Sequence, residues 1–374
     1  MCPRRDKSPG EIFNVKNFSR AFLFLFGEIH TKQTGEVLFM KKMIMFMTSC
    51  LLLIMLSGCG DEAAKTSAQN KPIKIGFSAL PSWYLWHLVE EKGFFEKHDV
   101  EVDLVWFPVY ADSLSALNTG EIDGNSQAMF DTIAPSTKGI DLTTAFIMDN
   151  SNGGDGLVAK PSYQKVEDLK GKVIGTEIGT IAHLFLLTAL QDAGLSEDEI
   201  KFTNLAVQDA GTSFVAGKLD AASLWEPFLS IAETEGAGKK LTTSADYEGL
   251  IADTLVFQTD VTTERADDVK KITAAWFDAV DYLEENYDES ITILAKAAGI
   301  SEDEMRIGLE GFNLFSIEDN KAALQDGDDY KHIYFTLEKN AKFLMDLGYI
   351  KEIPDFTKFI DTTFIESELN RAKE

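Results

Sequence analysis

The chain has 374 residues, 45% of them apolar and 26% charged, which allows a buried core, two domains and a leader. Its formal charge is −26, and residues 1–59 carry eight basic against four acidic side chains, so residues 60–374 hold −30. That balance excludes nucleic acid as a partner, which demands basic patches, and suits a soluble, self-repelling monomer compatible with cationic ligands. The cysteines are Cys2, Cys50 and Cys59, so residues after 59 form no disulfide among themselves and no thiolate metal site.

Residues 1–39 match no targeting signal. Met40 followed by Lys41-Lys42 is the more natural start, and we expect 1–39 to stem from a misassigned start codon. Residues 40–58 read as a signal peptide: a basic start, then the apolar run Met43–Leu56, too short to span a bilayer comfortably. Leu56-Ser57-Gly58-Cys59 matches the bacterial lipobox, which makes Cys59 the expected lipidated residue and anchors the protein to a membrane through acyl chains. A simple secretory signal is the alternative. Residues 59–71 read as a flexible tether.

Ile73–Phe77 is the first predicted strand, and a helix over Trp83–Lys92 follows a turn, with Leu85, Leu88 and Val89 at helical spacing. Trp83, Tyr84 and Trp86 crowd its first turn, either as core residues or as walls of a cleft at the strand–helix junction. Val100, Val102, Leu104 and Trp106 alternate as a second strand. Ser113–Asp131 then reads as helix, Gly120, strand and polar loop. Its pattern Gly120-Glu-Ile-Asp123 is echoed by Gly217-Lys-Leu-Asp220 within Thr212–Phe228. In each copy a glycine ends a helix and a short strand empties into a loop. Ligands of open α/β sheets sit beyond the carboxyl ends of strands, so two such units predict two lobes facing one cleft.

The stretch EEKGFFEKHDVEVDLV, the helix–Gly-x-x-Asp unit after it and the later FVAGKLDAASLWEPF together resemble the substrate-binding proteins of nitrate/sulfonate/bicarbonate/taurine-type ABC importers. The resemblance covers roughly residues 74–323. It implies an α/β, two-lobed, type II periplasmic-binding-protein-like fold, each lobe a mostly parallel sheet flanked by helices and joined by two crossing strands. The expected lobes are 72–160 with 255–374, and 161–254, with crossings at 157–160 and 255–260. The implied role is capture of a small-molecule ligand for a membrane permease and an ATPase, with no catalysis and no cofactor. No phosphate-cradling G-x-x-x-x-G-K-[ST] motif occurs in this chain.

Along the rest of the first lobe, Asn125–Asp131 is the expected binding loop, with Ser126 and Gln127 as polar contacts. Asp131 is either a ligand charge or a helix N-cap. A strand over 142–147 leads to a polar loop, 149–155, that holds Asp149. In the second lobe, the strand 172–176 and the loop Glu177–Thr180 precede a helix over 181–193, a turn that aims backbone N–H groups at a ligand. Glu177, Thr180 and His183 are candidates there, although His183 also reads as a packing residue. Trp225 is a candidate ligand wall, and Glu226 a ligand charge or a rim residue. Long helices over 269–287 and 330–347 are expected to wrap the first lobe.

These loops hold no Lys or Arg but several acids and flat aromatics. Carboxylates accept paired N–H bonds from a guanidinium-like fork, and aromatic rings attract cations. The chain accordingly resembles the branch of the family linked to guanidine, urea and amidine compounds, with a small planar cation as the expected ligand. A small anion (taurine or an alkanesulfonate, nitrate, bicarbonate) in the same role is the alternative. Relatives of this fold include a pyrimidine-precursor enzyme, and a sensory binding protein is a further alternative of another class. The expected location is the cell envelope, outside the cytoplasm.

Overall fold

The computed structural model describes residues 71–373, so the expectations for residues 1–70, including the signal, the tether and Cys59, lie outside the described part. The described residues form one compact unit built on two sheets. The six-stranded sheet holds β1 (Ile73–Phe77), β2 (Val102–Trp106), β3 (Gly124–Ala128), β4 (Leu142–Ser151), β10 (Ala252–Gln258) and β11 (Phe312–Leu314). The five-stranded sheet holds β5 (Asp155–Ala159), β6 (Val173–Thr176), β7 (Lys201–Asn204), β8 (Ala221–Trp225) and β9 (Lys239–Thr243).

The two sheets repeat one plan. The run β2-β1-β3-β10-β4 in the first corresponds to β7-β6-β8-β5-β9 in the second. In each, the first three strands are parallel, and a strand arriving from the other lobe inserts antiparallel in fourth place. Four strands of each sheet thus run the same way. The crossings fall earlier than the sequence suggests. Leu157 belongs to β5, inside the five-stranded sheet, and the chain changes lobe at Asn152–Gly154, because β4 extends through Ser151. Asp149 therefore sits in a strand, not in a loop. The return is complete by Ala252.

The internal echo is atomic. Gly120 and Gly217 both adopt φ +73°, each just after a nine-residue helix, Tyr110–Asn118 or Val207–Val215. A glycine takes this left-handed conformation without the Cβ penalty. Three residues on, Asp123 accepts the Lys74 N–H at 2.8 Å and Asp220 accepts the Val173 N–H at 3.0 Å. Each aspartate so ties its unit to the corresponding parallel strand of its own sheet, β1 or β6.

The helix Ala266–Glu285 packs on Leu85–Glu91, Phe94–Lys97 and the C-terminal helix Thr362–Arg371. The first-lobe core gathers Trp86, Trp276 and Phe146, with the Trp86 and Trp276 ring centroids 4.6 Å apart. The helix Glu302–Glu310 opens with a capping box at Ser301 and Glu304.

Candidate ligand site

Strand register assembles the site. Across β3, β10 and β4, Asp253 stands opposite Ala128 on one side and Asp149 on the other. Across β5 and β8, Asp155 stands opposite Trp225. Like charges facing each other in a ladder are destabilising. A pair of carboxylates held so, both buried, violates a local rule in the way functional sites do.

Around this register closes a central cavity of about 10 Å³, lined by Leu80, Trp83, Tyr110, Ala128, Asp155, Ile181, Trp225, Ile251 and Asp253. Both lobes contribute walls. The Trp225 indole N–H crosses to the Ala79 carbonyl at 3.1 Å, and the Trp225 and Tyr110 rings meet edge to face at 5.5 Å. Trp83 lies 5.6 Å from Tyr110, and its buried indole N–H has no hydrogen-bond partner. The Tyr110 hydroxyl accepts the Ala128 N–H at 3.0 Å and donates to Asp131 at 2.7 Å.

No Lys or Arg lines the cavity, and the acids around it repel one another. Burial pushes the Asp131 carboxyl up to about 8 despite the Tyr110 hydrogen bond, with Glu177 adding to the rise. Burial likewise lifts Asp155 to about 7, aided by Glu226, and Glu177 to about 7, aided by Asp112. Asp253 is held well above the usual carboxylate range by burial and by Asp149 and Asp155. Asp149 is raised by burial. Neither of its oxygens has a hydrogen-bond partner of good geometry, although Ser82 and Asp253 face it.

The twelve residues singled out in the sequence scatter over several environments. Trp83 and Trp225 line the central cavity. Asp131, Thr180 and His183 line a larger side pocket, in which Thr180 precedes the helix Ile181–Asp192 and donates to the Glu177 carbonyl at 2.8 Å. Glu177 lies in the seam between the lobes with Ser78, Tyr110, Val207 and Trp225. The others do not reach the cavity. Trp86 is a core residue whose indole donates to Ser126 at 2.8 Å, so both are spent on each other. Gln127 accepts from Asn125 at 3.1 Å and donates to Thr132 at 2.9 Å. Tyr84 stacks on Trp106 and His87. Glu226 holds the start of the helix Phe228–Thr234, accepting the Ser230 N–H at 3.1 Å and its hydroxyl at 2.8 Å. Asp149 stands behind Asp253 as its ladder partner.

Sequence reasoning missed Tyr110, Asp155 and Asp253. Tyr110 opens the helix whose later turns carried the repeat, and the missed acids lie on the two strands that join the lobes. Among the described residues no cluster of His, Cys, Asp and Glu has metal-binding geometry, and no helix is long and apolar enough to cross a membrane.

The model of a family described as NMT1/THI5 like matches residues 87–290. The taurine-binding periplasmic protein of Escherichia coli (strain K12) is 24% identical over 286 residues, 74% of this chain and 87% of that protein. The crystal structure of the periplasmic aliphatic sulphonate binding protein from Escherichia coli superposes with a TM-score of 0.64 at 21% identity, covering 79% of this chain and 99% of that one. The fold also hosts catalysis: a desulfurization enzyme superposes with a TM-score of 0.60 at 15% identity, covering 80% of this chain and 99% of the other.

Proposed function

We propose that this chain, which belongs to the NMT1/THI5-like family, is the extracytoplasmic solute-binding component of an ABC importer and holds a small cationic nitrogen compound of the guanidine or amidine type. One observation carries the choice of ligand: an aromatic-walled cavity between the lobes, bordered by Asp155 and Asp253, with Asp131 hydrogen-bonded to its wall residue Tyr110 and no basic side chain in the lining. A carboxylate takes a planar N–H fork through two parallel bonds. A cation against Trp83, Tyr110 or Trp225 gains about 0.5–2 kcal/mol. A bound anion would instead meet each ionised carboxylate at a cost of about 1–4 kcal/mol at 4 Å.

The structure is the closed form, so the ligand enters only when the lobes part by hinge motion at Asn152–Gly154 and at the return before Ala252, and the lobes then close on it. A permease and an ATPase then receive the solute, and the protein acts as a monomer anchored through Cys59. It performs no chemistry on the ligand.

A second reading keeps the role and changes the ligand to a small sulfonate or another anion. The similarity to taurine- and sulphonate-binding proteins favours it, and on that ground the comparisons lean its way. Thermal-shift titration with guanidine, urea, taurine and nitrate separates the two. Stabilisation by guanidine supports the cation; stabilisation by taurine or nitrate alone overturns it.

A further inference from the structure

Two helices of the internal repeat, Tyr110–Asn118 in the first lobe and Val207–Val215 in the second, start at the seam between the lobes. Their N-cap residues, Val109 and Ala206, are apolar, and neither helix has a side-chain cap. Asp112 and Asp209 stand in the two first turns, but both are exposed. The first N–H groups of a helix have no partner within it and form its positive end. Here two such ends, one from each lobe, border a single space of about 10 Å³.

Glu177 borders the same space and is only 6% exposed. Its Oε2 has no hydrogen-bond partner of good geometry, although the N–H groups of Ala111 and Val207, at the starts of the two helices, both face the carboxylate. The two sheets share one plan, in which Ser78 follows β1 and Glu177 follows the corresponding β6. The same position therefore holds a small hydroxyl in the first lobe and a carboxylate in the second, and both border the seam.

We propose that Glu177 is a latch between the lobes: its carboxylate sits between the two helix N-termini and holds the closed form shut. Converging helix N-termini suit an anion, and the chain's own side chain takes that place. Opening the cleft carries Ala111 away with the first lobe and leaves Glu177 beside Val207 in the second. The attraction across the seam therefore exists only while the lobes are closed. This rests on the two-lobed, solute-binding reading above but not on the charge of the solute, because a latch acts on closure whatever the cleft holds.

Calorimetry and melting curves at pH 8.5 test the latch; Glu177 is ionised there, since burial lifts it only to about 7. One partly buried helix end favours a carboxylate by up to about 30-fold, so Glu177→Gln and Glu177→Ala should each weaken guanidinium binding by about 5- to 30-fold. Glu177→Ala removes the atoms of one acetate. Added acetate should recover at least about threefold of the lost affinity in Glu177→Ala, with sodium chloride at equal ionic strength as the control. It should recover none in Glu177→Gln, whose amide fills the place without the charge. Acetate should also raise the melting temperature of ligand-free Glu177→Ala saturably and leave Glu177→Gln and the unaltered protein unchanged. Should the alanine variant fail to fold, Glu177→Gln must still show the affinity loss. Unchanged affinity in both variants, or an acetate response equal in the two, overturns the latch and leaves the cation reading standing. Binding of taurine with none of guanidinium, the loss and the acetate rescue then being read with taurine, overturns the cation reading and keeps the latch.

Discussion

Lowering the pH from 8 to 6 is expected to weaken cation binding by up to about 50-fold. Asp131 titrates at about 8 because burial disfavours its charge. A carboxyl with that pKa is about half ionised at pH 8 and about 1% ionised at pH 6. If the cation needs the ionised form, the competent fraction and the apparent affinity fall together by about 50-fold, or about 2.3 kcal/mol. Asp155, at about 7, takes up a second proton and steepens the loss below neutrality. The ligand-free protein moves the other way. Burial holds Asp131, Asp149, Asp155 and Asp253 above the ~3.9 of unfolded aspartate, so between about pH 4 and 8 these groups keep more protons in the native state than in the unfolded chain. Stability of the free protein therefore falls as pH rises across that window. The assay is calorimetric titration with guanidinium, which stays charged throughout, at pH 6, 7 and 8, beside melting curves of the free protein. A dissociation constant independent of pH, or binding that tightens at pH 6, would refute the reasoning; the latter is what an anion gives.

Other substitutions test individual assignments. Trp86→Phe removes the indole donor to Ser126 inside the first-lobe core, so it should lower unfolding free energy by about 1–3 kcal/mol in denaturant titration while leaving the ligand dissociation constant in place. Trp225→Phe keeps a ring in the cavity but loses the bond to the Ala79 carbonyl across the lobes; an affinity loss of about 3- to 10-fold is expected in calorimetric titration. Asp123→Ala and Asp220→Ala remove the equivalent ties to β1 and β6. Each should cost about 1–3 kcal/mol, and a large effect at one with none at the other would undo the claim of a working repeat.

The repeat was the most legible feature of the sequence. Gly120 and Gly217 mark helix ends that need a left-handed residue, and Asp123 and Asp220 repeat at the same offset, so local chemistry announces both units. Strand β1 was legible for the same reason, as a short apolar run bounded by a turn. The site was less so. Side chains alternate along a strand, so Ser126 and Gln127 could not both face the cleft, and neither does. Whether an aromatic at a helix start is wall or core depends on what lies opposite. Trp83 meets Tyr110, while Trp86 meets Trp276, nearly two hundred residues on. Asp155 and Asp253 were invisible because only the antiparallel insertion of β5 and β10 brings them beside Trp225 and Asp149. That register is a long-range fact which no local pattern carries.

The central claim is that acids and aromatic rings between two lobes grip a positively charged solute. Competitive calorimetry at pH 7.5, with guanidinium-type cations against taurine and nitrate on one preparation, tests it most directly. Saturable binding of the cations, displaced by neither anion, is the expected result. Tight taurine or nitrate binding, with the cations inert, would contradict it.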